Sequence, residues 1–192
     1  DATAFTTYDS TTIDGTILTL GSVSIACLSC HDGTQAMDVV INAPGSRGVT
    51  PVTGAELDPV AIGLIGAIAG TAADLGQDLT NDHPIGVQYG GYNPGTGQID
   101  PDFVGGANLQ TANINGQDVW WINTPGGLAG RDKNDVILYT RDNAGSPEPF
   151  VECGSCHDPH QGAGVGTTAG SEVNFMRIAN TSSDLCLTCH VK

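Results

Sequence analysis

Cys153-Gly154-Ser155-Cys156-His157-Asp158-Pro159-His160 holds two cysteines separated by two residues, a histidine directly after the second, and a further histidine three positions on. Its first five residues recur in kind as Cys27-Leu28-Ser29-Cys30-His31 near the N-terminus and as Cys186-Leu187-Thr188-Cys189-His190 near the C-terminus. These three C-x-x-C-H units use all six cysteines of the 192-residue chain. How that repeated unit is read decides how the whole chain is read.

Six cysteines in an exported chain are compatible with three disulfides, but the repeated unit matches the attachment pattern of haem c. Two thiols on one short turn reach the two vinyl groups along one porphyrin edge, and the adjacent histidine faces the iron as proximal ligand. A redox dithiol does not require the trailing histidine, and zinc needs four ligands per site. The expected cofactor is therefore haem c, three groups per chain, covalently attached and iron-bearing. Cys27, Cys30, Cys153, Cys156, Cys186 and Cys189 are the expected attachment residues, with His31, His157 and His190 as proximal ligands.

Three six-coordinate irons need six axial ligands, and the chain has five histidines. His83 and His160 remain for the distal positions. His83 lies in Asn81-Asp82-His83-Pro84-Ile85, where Pro84 holds the preceding backbone extended. The first haem is its favoured partner. His160 is too close in sequence to the committed His157 to serve the same iron, so the third haem is its expected recipient. One iron is left for Met37, Met176, another weak ligand or water, or for five-coordination. Packing is the ordinary role of either methionine. A methionine ligand would raise that haem's potential, and an open iron would bind small ligands.

The formal net charge of −15, with six Lys plus Arg, excludes nucleic acid as a partner, since its binding needs a basic footprint. The chain opens at Asp1 and reads as a mature chain whose signal peptide has been removed. Its longest apolar run, from Val60 to Ala73, is broken by Gly63, Gly66 and Gly70 and is too short to span a bilayer. Attachment of haem c is completed outside the cytoplasm. The expected location is extracellular or at the cell surface, with the periplasm as the alternative.

Aromatic residues make up only 5% of the chain, and 27 residues are glycine, so little large apolar surface is available to offset the entropy of ordering. The fold expectation is one domain over 1–192, mostly irregular, with a core formed largely by haems. Short helices are expected at the attachment sites 27–31, 153–157 and 186–190. A short buried helix is expected over 60–75, and 87–117 reads as loop. Val119-Trp120-Trp121-Ile122 and Val136-Ile137-Leu138-Tyr139 have strand composition and suggest one small antiparallel pair. One of the two tryptophans is expected to stay at the surface.

Residues 27–33 (CLSCHDG), 82–86 (DHPIG), 153–160 (CGSCHDPH) and 185–190 (LCLTCH) resemble the multihaem c-type cytochromes with doubled C-x-x-C-H motifs of metal-reducing and related anaerobic prokaryotes. Within that group the chain is similar to extracellular cytochromes that polymerise into filaments with a continuous chain of haems. The resemblance implies electron transfer, with homopolymerisation and redox proteins or extracellular acceptors as partners. It also implies bis-histidine iron throughout, from which a five-histidine chain departs. A monomeric periplasmic or surface shuttle is the alternative within electron transfer. A reductase acting at the iron without a second histidine is the alternative in another class.

Overall fold

The computed structural model describes residues 4–33, 39–40, 52–53, 74–124, 130–160 and 175–191. In chain order its elements are β1 (Thr6–Thr7), α1 (Ser22–His31), β2 (Val39–Val40), β3 (Val52–Thr53), β4 (Asp78–Leu79) and β5 (Val87–Gln88). They continue with β6 (Leu109–Ile114), β7 (Gln117–Ile122), β8 (Val136–Asn143), β9 (Ser146–Val151), α2 (Cys153–Cys156) and α3 (Asp184–Cys189). Met37 and most of the apolar stretch expected to form a helix over 60–75 lie outside the described residues.

The expectation of a mostly irregular chain is overturned. The centre of the structure is a five-stranded antiparallel sheet in the order β5-β9-β8-β7-β6. A parallel pair, β1 with β4, and an antiparallel pair, β2 with β3, accompany it. The two strands read from composition do pair, with Trp120 opposite Leu138 and Ile122 opposite Val136. They form the middle of the sheet rather than a pair of their own.

Local chemistry explains the added strands. Asn115-Gly116 sits at a two-residue hairpin turn with φ of 53° and 82°. Asn-Gly is the dipeptide that best tolerates two positive φ angles in succession, and it sets the β6–β7 register. β6 runs through the segment read as loop, and its residues are intermediate or exposed, so it carries no hydrophobic stripe. β9 reads Ser146-Pro147-Glu148-Pro149-Phe150-Val151. Its two prolines pair only with β8, opposite Asp142 and Thr140, while β5 joins at Phe150 and Val151. The proline stretch therefore borders an unpaired edge, where a missing N–H costs no ladder bond.

The core is also protein-built where the structure describes it. Tyr89, Trp120, Ile122, Val136, Leu138 and Ile178 form one buried cluster. Leu20, Leu28 and Leu79 form a second beneath α1. Both tryptophans are buried, at 8% and 6% exposure, against the expectation that one would stay outside. Successive strand residues face opposite sides, so adjacent buried tryptophans mean that both faces of β7 are covered here. Trp120 meets the Tyr92 ring at 5.0 Å, and Trp121 Nε1 donates to Asn123 at 2.9 Å.

The β8–β9 turn places Ala144 at φ 53°, a left-handed conformation that costs an L-residue about 1–2 kcal/mol. Ala144→Gly is expected to raise the melting temperature by roughly 2–4 °C, as read by thermal denaturation followed by circular dichroism.

Candidate functional site

Each C-x-x-C pair lies on an α-helix of its own, at positions i and i+3. That spacing turns both thiols to one helix face. All six cysteines are free thiols. Among the described residues, no group of three or more histidine, cysteine or acidic side chains is placed to hold a metal ion. The second and third motifs also share a backbone ending. His157 and His190 leave their helices in extended conformation, at φ/ψ of −104°/137° and −108°/139°. Their N–H groups donate to the carbonyls of Cys153 at 3.1 Å and Cys186 at 2.9 Å. His31 instead remains the last residue of α1, and Asp32 caps it.

The first and second motifs meet at a buried carboxylate. Glu152, 1% exposed, precedes α2 and reaches the N-terminus of α1. It accepts from the Gly21 N–H at 3.0 Å, from Arg141 Nη1 at 2.5 Å, and from the Ser24 hydroxyl. A carboxylate here also complements the positive end of the helix dipole. Ser24 Oγ in turn accepts the Cys153 N–H at 3.0 Å, and the Glu152 N–H donates to Ser155 Oγ at 3.0 Å. Gly154 lets the helices close, because a Cβ there would run into the Tyr139 hydroxyl and crowd Val23.

This junction brings Cys27 against Cys153. The Cys153 thiol hydrogen-bonds to the Cys27 sulfur and pulls the Cys27 pKa from 9.0 down to about 6. The same hydrogen bond, with burial, pushes Cys153 upward. A lowered pKa enlarges the thiolate fraction, which is the nucleophilic form.

The second and third motifs also approach each other. Burial raises Cys189 to about 12, and the nearby Cys156 and Cys186 add to the rise. Burial likewise raises Cys156, opposed by Arg177 and reinforced by Cys186. Arg177 secures the second motif, with Nε donating to the Gly154 carbonyl at 3.0 Å and its backbone N–H to Cys156 at 2.8 Å.

The third motif docks on the segment after Asp100. The Val104 N–H donates to Cys189 at 2.9 Å, the Val191 N–H to Asp102 at 2.8 Å, and Phe103 bridges His190. The buried Tyr89 hydroxyl donates to the Val104 carbonyl at 2.9 Å and lies 3.1 Å from that of Cys189. Burial holds that phenol protonated well above its ordinary range.

The expected distal ligands separate. The His83 ring stands 6.5 Å from that of His190, centroid to centroid, so it faces the third motif rather than the favoured first. His160 is 94% exposed in its side chain, with Nδ1 3.2 Å from Asp158. Met176 is bridged to His157 in antiparallel register. Directly opposed residues project to one face, so Met176 stands on the same side as His157.

These residues fit haem c. The thiols are paired and free, and each pair is followed by its histidine. Near the third site, Phe103 contacts the His190 ring at 4.8 Å and lines a cavity of about 630 Å³ with Tyr92, Ile99, Leu109 and Trp120. Trp120 Nε1 is the one buried side-chain nitrogen or oxygen without a hydrogen-bond partner among the described residues.

Residues 148–192 match the family of the doubled CXXCH motif. The match covers the second and third sites and supports a multihaem c-type cytochrome with covalently bound haem c. No curated protein and no solved structure matches the chain. Among the described residues, no helix is long and apolar enough to cross a membrane.

Sequence reading did not find Glu152, Ser24, Arg141, Tyr89 or Phe103. A glutamate beside a cysteine motif carries no sign that it is buried. Glu152→Ala would leave Arg141 and the α1 N-terminus facing an uncompensated site. It is expected to cost about 3–5 kcal/mol in denaturant unfolding, as for a buried ion pair that loses one partner.

Proposed function

We propose that the chain is an electron-transfer protein holding three haem c groups in the order of its motifs. The observation that carries this reading is the closeness of the motifs, with Cys27 hydrogen-bonded to Cys153 and Cys156 near enough to Cys186 and Cys189 for their charges to be felt. Cys27 and Cys30, Cys153 and Cys156, and Cys186 and Cys189 hold the three groups, with His31, His157 and His190 as proximal ligands. When bound, the iron supplies one-electron chemistry by cycling between ferric and ferrous states. The protein sets the spacing. Glu152 holds the first site against the second, and Tyr89 with the Phe103 segment holds the third.

Export follows from where haem c is attached. Self-assembly is part of the proposal. Leu187 and Val191 flank the third site at 40% and 53% exposure, and six basic residues in a chain of charge −15 leave little for charge-paired docking. Apolar contacts between like-charged copies are favoured by salt, which screens their repulsion.

Pyridine haemochrome assay and intact mass are expected to show three haems per chain, and two in Cys27→Ala/Cys30→Ala. All three are expected to titrate reversibly between oxidised and reduced spectra. Fewer than three in the unaltered protein, or haem that does not titrate, would contradict the reading. Particles that grow with concentration and salt are expected in light scattering. A monomer throughout would replace assembly with a diffusing shuttle.

A further inference from the structure

His83 and His190 come from distant parts of the chain, yet the fold sets their ring centroids 6.5 Å apart with an interplanar angle of 62°. Two imidazoles bound to one metal ion from opposite sides, with metal–nitrogen bonds of about 2.0 Å, hold their ring centroids roughly 6 Å apart. Both residues are exposed, so neither ring is placed there by burial in the apolar core.

The His83 ring is also prepared for a ligand role. Its Nδ1 lies 3.0 Å from the Pro84 carbonyl oxygen. A carbonyl only accepts, so Nδ1 carries the proton and Nε2 presents its lone pair. Metal-binding histidines commonly use the second ring nitrogen in this way, which fixes tautomer and orientation. The loop is held at both ends. The Asp82 N–H donates to the Leu79 carbonyl at 3.2 Å, and the Gly86 N–H donates to Val151 of β9 at 2.8 Å. Opposite it, His190 is fixed by its bridge to Phe103 and by the Cys186 carbonyl.

We infer that His83 and His190 ligate one iron, that of the haem held by Cys186 and Cys189. This rests on the three-haem reading and deepens it. The third site then takes both of its axial ligands from within the chain. His160 is the one histidine left for the first and second sites together, so the iron without a second histidine belongs to one of those two.

The test is His83→Ala in the full haem-loaded protein and in two backgrounds, Cys27→Ala/Cys30→Ala and Cys186→Ala/Cys189→Ala. In the full chain, haem content is expected to stay at three. One additional haem equivalent should become high-spin and bind carbon monoxide when reduced, and added imidazole should restore the low-spin spectrum. His83→Met should keep that haem low-spin and add a Met–iron charge-transfer band, which separates ligand loss from misfolding. The additional carbon monoxide site should appear in the background lacking the first haem and not in that lacking the third. Its appearance in the reverse pattern, or in neither background, overturns the assignment. A haem count below three in the unaltered chain would instead count against the underlying reading.

Discussion

Glu152 is the interaction on which the arrangement of sites depends. It lies at the end of β9, immediately before the second motif, and its buried carboxylate is shared by the start of α1, the Ser24 hydroxyl and Arg141. Burying a carboxylate is costly unless its lone pairs are filled and its charge is paired. Here both conditions are met by groups from two other elements, α1 and β8. The cost of burial therefore enforces position: only when α1 and β8 are both in place around Glu152 is the charge satisfied. The first two attachment sites come into contact as a consequence.

The third site is placed by different means. Tyr89 follows β5 and reaches the Val104 and Cys189 carbonyls from the sheet's main apolar cluster. The same β5–β9 pairing that carries Tyr89 also tethers the end of the His83 loop, through Gly86 and Val151. One sheet edge thus positions His190 and the ring that faces it. The sheet acts as the scaffold, and the attachment helices are mounted around it.

The site chemistry was legible in the sequence because C-x-x-C-H is a local pattern whose meaning survives any fold around it. The sheet was much less legible. β6 has no buried stripe, and β9 contains two prolines that ordinarily argue against a strand. Asn115-Gly116 is a hairpin signal, but it lies within a long polar, glycine-rich stretch whose composition is that of a loop. Tertiary burial also overrode local expectation at Trp120 and Trp121, since nothing in four residues of strand shows that both faces will be covered. Long-range pairings were the least legible. His83 was recognisable as a ligand candidate from its Pro84 context, but its approach to His190 depends on sheet register that residue spacing does not encode.

The central claim is that the sites follow one another in the order one, two, three, with the second lying between the outer two. Visible circular dichroism reads this through exciton splitting of the Soret band, which reports closely spaced haems. Three two-haem variants, each with one cysteine pair replaced by alanine, isolate the three possible neighbour pairs. The account predicts a split signal in the variants lacking site one or site three, and its loss in Cys153→Ala/Cys156→Ala. A split signal that survives removal of the second site while vanishing from the other two variants would contradict it.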